Sequence, residues 1–418
     1  MLLYIHVPFC RSRCKYCAFY SQALQKNHEP ETSIAIRDYI DTLMLEMACW
    51  RDRLGSISIE SVFFGGGTPS LLPVRMVGML IDKIHGYFSL QENAEITLEA
   101  NPESLRGTLQ PNQYLSAGIN RLSIGIQSLD GLILHKLGRI HKEQDSLQSF
   151  LAAREAGFPN ISVDLMWGLP NQSVRQWLQT LKDIVRLAPE HISAYGLTLE
   201  PGTPMEKEVR EGRMELPPER DQNIMFLEGS SFLESHGYMH YEISNFARMG
   251  YQCRHNMGYW TGEEYLGLGP SATSTLQNHR WTNPANQETW DERVRSGEFM
   301  EDVEELTPLV QVLERMMLSL RTSQGLSFHD YHEMTQRDFL RDHNRLVHAL
   351  HENGLVRIRN GYMRLTTKGM LVSNAILANL FEHTKKVLTT PLTSRPRVQR
   401  EESERNETAI RKVIWPRV

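Results

Sequence analysis

Short runs dense in β-branched and aromatic residues recur along the first half of the chain, over residues 2–7, 61–64, 95–99, 121–126, 161–166 and 191–197. Each has the length and apolar density of a strand. Longer amphipathic stretches lie between them, among them 39–54, 76–87 and 173–187. In the first of these, Ile40, Leu43, Met44 and Met47 fall at helical spacing. Strands alternating with helices predict parallel βαβ units, and six of them predict a barrel or open barrel rather than a small doubly wound sheet. Parallel barrels gather their chemistry at the carboxyl ends of the strands. The residues placed there are 8–17, 65–70, 99–102, 127, 167–170 and 198–203, and several are polar or rich in Gly and Pro.

The pattern changes near residue 216. Leu216-Pro217-Pro218-Glu219 predicts the start of a helix running to about His236, and a strand is predicted over 238–243. Residues 245–274, aromatic and glycine-rich, read as an irregular segment, and a loop of that length in a compact protein is usually functional. From Thr307 to about Glu382 the pattern is helix over 309–320, helix over 339–353, a hairpin of 355–359 with 362–365 about Asn360-Gly361, and a last helix over 368–381. Asn-Gly is a strong hairpin signal, and the order is winged-helix-like. The expected organisation is a barrel over 1–240, a connecting segment over 241–306, a winged-helix-like unit over 307–382 and a tail over 383–418. Beyond His383 nine Lys or Arg stand against four Glu, with few apolar residues, which predicts a basic, disordered tail.

Composition narrows the class. The 418 residues are 40% hydrophobic and 23% charged, as in a globular protein with a sizeable core. A net charge of −5 argues against an electrostatic nucleic-acid binder, and the winged-helix-like unit carries no dense basic cluster. No stretch approaches the roughly 20 apolar residues of a membrane span, so any membrane contact is expected to be peripheral. No secretory or transit pattern opens the chain, and a cytoplasmic location is expected. Of five cysteines, Cys10, Cys14 and Cys17 lie together, which suits reduced thiols used as metal ligands.

Their spacing, C-x3-C-x2-C directly after the first strand, is the most specific signal in the chain. Thiolates are soft ligands and hold iron–sulfur clusters. Three cysteines leave the fourth iron of a cubane open to a further ligand. A buried helix fits poorly, because Pro8, Arg11, Arg13 and Lys15 are interspersed. Zinc would need a fourth ligand, and His6 is too close to Cys10 along an extended strand. The second signal is Gly65-Gly66-Gly67-Thr68-Pro69-Ser70 after the second strand. Glycines permit close approach to backbone groups, though a triple glycine alone is equally a turn. A Walker-type loop is excluded, since no Gly-Lys-Ser/Thr follows.

These residues resemble the radical S-adenosylmethionine (SAM) family, with Tyr16 as the aromatic between the last two cysteines. The resemblance implies an α/β fold, a partial (β/α)6 TIM-like barrel with a C-terminal winged-helix-like domain. It also implies a [4Fe-4S] cluster on Cys10, Cys14 and Cys17 whose open iron binds SAM. In that family an electron from the reduced cluster cleaves SAM to a 5′-deoxyadenosyl radical, delivered by a donor such as a flavodoxin or ferredoxin. Over residues 1 to about 382 the chain is similar to the branch of oxygen-independent coproporphyrinogen III dehydrogenases and HemW-type haem chaperones, Tyr4-Ile5-His6-Val7-Pro8-Phe9-Cys10 resembling its opening. Carried over by position, Tyr4, Tyr16, Gly66 and Glu99 would contact cluster-bound SAM, and Thr68, Gln127, Arg139 and Asp164 match positions that hold a second SAM in the dehydrogenase. Gly67 would lie between the two sites.

Two features separate the branch members. The dehydrogenase type carries a further cysteine two residues after the third, where this chain has Phe19. His255-Asn256-Met257-Gly258-Tyr259-Trp260 matches the H-N-x-x-Y-W motif of the chaperone type. The resemblance therefore implies a protein that binds haem and passes it to acceptor proteins. A coproporphyrinogen-decarboxylating enzyme is the alternative, and a winged-helix nucleic-acid module a remote third. The Cys253–Trp260 segment is expected to bind haem, with His255 the first candidate for the iron or a close contact and Cys253 its rival. The other reading of the motif is that His255 and Asn256 bond within the protein while the aromatics fill a core.

Overall fold

The computed structural model describes residues 1–24, 30–105, 111–298 and 300–389. The chain divides into two compact units, Met1–Leu306 and one that begins at Thr307.

The first unit is built on six parallel strands: β1 (Leu2–Val7), β2 (Ser58–Gly66), β3 (Ser89–Ala100), β4 (Arg121–Gln127), β5 (Ile161–Trp167) and β6 (His191–Gly196). They pair in chain order. Strand periodicity then sorts side chains between two faces. Leu3, Ile5 and Val7 of β1, with Val62 and Phe64 of β2 and Ile96 and Leu98 of β3, are buried in the apolar core. Tyr4 and His6, Ser61 and Phe63, Glu95, Thr97 and Glu99 are the alternate positions on the other face.

The crossover helices supply the other half of the core. In the helix Ile34–Leu54 the residues Ile36, Tyr39, Ile40, Leu43, Met47 and Trp50 form one buried stripe. Its start is fixed by Ser33, whose Oγ accepts from the Ile36 N–H, and Gly55 at φ 67° ends it. The helices Val74–Tyr87 and Val174–Leu187 repeat the arrangement, the second with a Ser173/Gln176 capping box. Each fully buried apolar side chain contributes roughly 1.5–3 kcal/mol.

The barrel does not begin at β1. Residues 245–274, expected to be irregular, contain the strand Asn245–Ala247, the helix Arg254–Thr261 and the strands Tyr265–Leu268 and Thr273–Leu276. Tyr265–Leu268 pairs in parallel with β1, Tyr4 opposite Gly267, and the sheet continues outward through His279–Thr282 to Glu301–Glu305. At the other edge Asn245–Ala247 pairs antiparallel with β6 and with Met239–His240, the latter being all that remains of the strand expected over 238–243. Among the described residues the sheet has twelve strands. Residues 241–306 therefore belong to the same compact unit as the barrel.

The second unit carries the helix Pro308–Leu320 and an antiparallel sheet of Leu326–Ser327, Tyr362–Leu365 and Val356–Arg359. The helix expected over 339–353 is broken at His343 into Phe339–Asp342 and Asn344–Glu352. The His343 ring packs tilted on Phe339 and meets Tyr331 edge-on. The last helical stretch breaks at Val372, and its second part, Ser373–Thr389, runs past the expected tail boundary at residue 383. The remainder of the expected tail, from residue 390, lies outside the described residues. Among the described residues no helix is long and apolar enough to cross a membrane.

Candidate functional site

Beyond β1 the chain turns at Pro8 and forms a short parallel pair, Phe9–Cys10 with Gln22–Ala23. The Gln22 N–H donates to the Pro8 carbonyl and the Leu24 N–H to that of Cys10, closing the loop that carries Cys14 and Cys17. The Lys15 N–H donates to Leu137 O and the Lys15 carbonyl accepts from Met205 N–H, both at 3.0 Å, so two neighbouring helices hold the loop. All three cysteines are free thiols and partly exposed. Burial pushes the Cys17 thiol up to about 11, and Cys14 and Cys10 add to the rise, so three unligated thiolates are unfavourable here.

The glycine run meets this loop directly. The Gly67 N–H donates to Val7 O and the Thr68 N–H to Phe9 O, at 2.8 and 2.7 Å. A Cβ on Gly67 would stand 2.6 Å from Phe9 O and 3.1 Å from the Cys10 sulfur. Gly66 has φ 105°, and a Cβ there would overlap the His6 ring at 2.6 Å. Its N–H donates to Glu99 Oε2 at 3.2 Å. Glycine at these two positions is thus a steric requirement of the cradle.

Carboxylates face this cradle from β3 and β5. Burial pushes the Glu99 carboxyl up to about 8, helped by the negative charge of Asp164. Asp164 accepts from the Ser123 hydroxyl at 3.0 Å, and its own pKa is raised by burial. Tyr4 donates to His6 Nδ1 at 3.1 Å while His6 Nε2 donates to the Tyr20 carbonyl at 2.8 Å. A carbonyl only accepts, so the His6 proton sits on Nε2. Burial lowers this histidine to about 4 and keeps it neutral.

Arg139, Asn101 and Thr68 form a chain along the cysteine loop. Arg139 Nη2 donates to Asn101 Oδ1 at 2.6 Å and to Gly125 O at 2.7 Å, while Nη1 lies 3.6 Å from the Cys14 sulfur. Asn101 Nδ2 donates to Thr68 Oγ1 at 2.9 Å, and the Thr68 hydroxyl stands 3.6 Å from the Cys10 sulfur. Tyr16 sits beside Cys14 and Arg139, its hydroxyl pKa raised by burial and by Cys14. Gln127 holds a left-handed backbone, φ 64°, at the end of β4. A Cβ on Gly125 would stand 3.0 Å from its Nε2 and 3.1 Å from Asn101 Oδ1. The structure thus brings Tyr4, Cys10, Cys14, Tyr16, Cys17, Gly66, Gly67, Thr68, Glu99, Gln127, Arg139 and Asp164 to one end of the parallel strands or to their inward face. Asn101, two residues past Glu99, was only part of the 99–102 stretch in the sequence reading; its place just beyond β3 is the signal that marks it.

The donor set fits an iron–sulfur cluster: three thiols on one loop, a side-chain-free cradle at Gly67 and hydrogen-bond donors aimed at two sulfurs. Among the described residues no three His, Cys, Asp or Glu side chains surround a single ion position, whereas a cubane takes each cysteine on a separate iron.

Comparison with known proteins identifies the kinship. Residues 4–184 match the radical SAM superfamily and residues 306–372 the HemN C-terminal domain. The haem chaperone HemW of Bacillus subtilis is 34% identical over 375 residues, 89% of this chain and 97% of the relative. The chain belongs to the HemW family of radical SAM proteins. The mitochondrial radical S-adenosyl methionine domain-containing protein 1 of Danio rerio is 35% identical over 343 residues, 79% of this chain and 75% of that one. The Escherichia coli coproporphyrinogen III oxidase HemN, described as a radical SAM enzyme, shares the fold with a TM-score of 0.77 at 22% identity, over 93% of this chain and 90% of that one.

The H-N-x-x-Y-W stretch of this HemW-family chain is a helix, Arg254–Thr261, packed on β2 and β3. Cys253 is its N-cap, the sulfur accepting from the Asn256 N–H, and Gly262 at φ 73° ends it. A Cβ on Gly258 would overlap Leu2 at 2.5 Å. His255 is buried, with both ring nitrogens engaged: Nδ1 with Ser61 Oγ at 2.9 Å and Nε2 with Tyr259 OH at 3.1 Å. Its ring stacks on Phe63 at 5.1 Å, and burial together with the Arg121 charge lowers it to about 3. The Cys253 thiol is buried against Glu95 Oε1 at 3.3 Å, and its pKa is pushed up to about 12. His255, the first candidate for the haem iron or a close contact, and its rival Cys253 are thus both bonded within the protein in this structure.

Proposed function

We propose that this HemW-family chain binds a [4Fe-4S] cluster through Cys10, Cys14 and Cys17, holds SAM beside it, and binds haem for transfer to acceptor proteins. The observation that carries the reading is the place of Gly67, where a Cβ would stand 3.1 Å from the Cys10 sulfur, one residue from the Gly66–Glu99 hydrogen bond. It makes one continuous cradle of the cysteine loop and the glycine run. The cluster, when bound, supplies an open iron for the amino and carboxylate groups of SAM. Tyr4, Tyr16, Gly66 and Glu99 line the SAM position, Gly66 by leaving backbone accessible and Glu99 by accepting from hydroxyl or ammonium groups. Thr68, Gln127, Arg139 and Asp164 match the positions for a second SAM; Thr68 and Arg139 are engaged with Asn101 and the cysteine sulfurs, and Asp164 accepts from Ser123 and Ser162.

Haem as cargo is supported by the names of the relatives and by Phe19, where the dehydrogenase type has cysteine. Partners of this reading are haem, haem-accepting proteins and a one-electron donor of the flavodoxin or ferredoxin class. The test is anaerobic reconstitution followed by parallel assays with haem and with coproporphyrinogen III plus SAM and reductant. Haem binding and transfer to an apo-acceptor without protoporphyrinogen IX is the expected result. Turnover of coproporphyrinogen would assign the dehydrogenase reaction instead.

A further inference from the structure

Asn101 sits between two groups that touch different cysteines. Its orientation follows from its neighbours rather than from its own atoms. Arg139 has only donors, so the Asn101 atom 2.6 Å from Nη2 is the oxygen. The amide nitrogen therefore faces Thr68 Oγ1, at 2.9 Å, and donates to it. A hydroxyl that receives a hydrogen bond on oxygen still has one hydrogen to give. The Cys10 sulfur, 3.6 Å away, is the acceptor on that side, and Thr68 is itself buried. At the other end Arg139 is fixed by Asn101 and Gly125 O so that Nη1 reaches the Cys14 sulfur at 3.6 Å. One amide thus aims two donors at two of the three cysteine ligands, and a Cβ on Gly125 would crowd its oxygen at 3.1 Å.

We propose that Asn101 is a positioning residue that sets the reduction potential of the cluster, by holding Thr68 and Arg139 as hydrogen-bond donors to Cys10 and Cys14. Reduction adds an electron, and so negative charge, to the cluster and its thiolates. Donors and a guanidinium beside the sulfurs stabilise that added charge and raise the potential. The inference rests on the cluster reading above. It also gives Thr68 and Arg139 a role other than holding a second SAM.

The test is an EPR-monitored redox titration of reconstituted full-length protein, with iron and sulfide counted in each sample. Thr68→Val keeps the shape and removes the hydroxyl; its midpoint is expected to fall relative to wild type, and Thr68→Ser to restore it. Asn101→Asp keeps the acceptor for Arg139 but turns the Thr68 proton away from Cys10 and adds negative charge, so a larger fall is expected. In a Thr68→Val background the Asn101→Asp shift should shrink, because the hydroxyl it redirects is gone. Normally loaded variants with an unmoved midpoint would overturn the inference and leave the cluster reading intact. Variants that load no cluster would overturn it too, by making the bridge structural. Wild-type protein that takes up no cluster would instead sink the cluster reading and this inference with it.

Discussion

Glu95 caps the helix that carries His255. Its Oε2 accepts from the Arg254 N–H and its Oε1 from the His255 N–H, both at 3.2 Å, and the same carboxylate lies beside buried Arg121, whose pKa it helps to raise. Strand β3 thereby seats the helix inside the barrel, with the carboxylate answering both the helix dipole and a buried cation.

Glu95→Ala removes both acceptors and leaves Arg121 with one fewer countercharge in the interior. A loss of about 3 kcal/mol or more is expected in urea unfolding, and Glu95→Gln, which keeps one acceptor oxygen, should lose less. Equal stability of wild type and Glu95→Ala would show that the cap carries no weight.

The interior seat of His255 sets a second expectation. His255→Ala and Cys253→Ala should lower the melting temperature, since each empties a buried, bonded position. Folded fractions of both variants and of the double variant should bind haem with the wild-type Soret band and affinity. A Soret shift or a tenfold loss of affinity in a folded variant would place haem at this helix.

Glu46 gives a pH signature. It accepts from Gly269 N–H at 2.8 Å, Asn283 Nδ2 at 2.7 Å and Trp290 Nε1 at 3.3 Å, yet burial outweighs these donors and pushes its pKa up to about 7. The folded state therefore binds a proton that the unfolded chain releases near pH 4.5, and stability falls as pH rises from there to about 7. The full cost is of order 3 kcal/mol. Glu46→Gln should lose this slope while starting lower, because its amide NH2 faces a donor. Parallel stability curves for wild type and variant between pH 5 and 8 would rule the assignment out.

Much of the architecture was legible in the sequence. The six strands carry their period in the side chains themselves: β1 alternates the core residues Leu3, Ile5 and Val7 with Tyr4 and His6, and β4 and β5 follow the expected bounds to within a residue. The segment 245–274 was not legible, for two physical reasons. The helix Arg254–Thr261 buries polar His255 and packs glycine against Leu2, so its buried face lacks an apolar stripe. Tyr265–Leu268 draws its strand character from pairing with β1, a partner more than 250 residues earlier that no local window contains. The candidate site divides the same way. Cysteine spacing and the glycine run announce themselves, while Asn101 and Glu95 acquire their roles only once strands bring Arg139 and Cys253 beside them.

The cysteines sort by place. Cys10, Cys14 and Cys17 line the loop, whereas Cys49 lies in the helix Ile34–Leu54 and Cys253 in the interior. Alanine at any of the first three should abolish the broad visible absorption of reconstituted protein. Cys49→Ala and folded Cys253→Ala should retain it, and loss confined to Cys49→Ala would misplace the cluster.

The EPR spectrum of the reduced, reconstituted protein with and without SAM tests most directly whether one cradle serves both cluster and SAM. Saturating SAM is expected to change the wild-type spectrum, and Glu99→Ala, which leaves the cysteines intact, to need at least about tenfold more SAM for the same change, the loss of one charge-assisted hydrogen bond. A wild-type spectrum that SAM leaves unaltered would contradict the assignment of this end of the barrel.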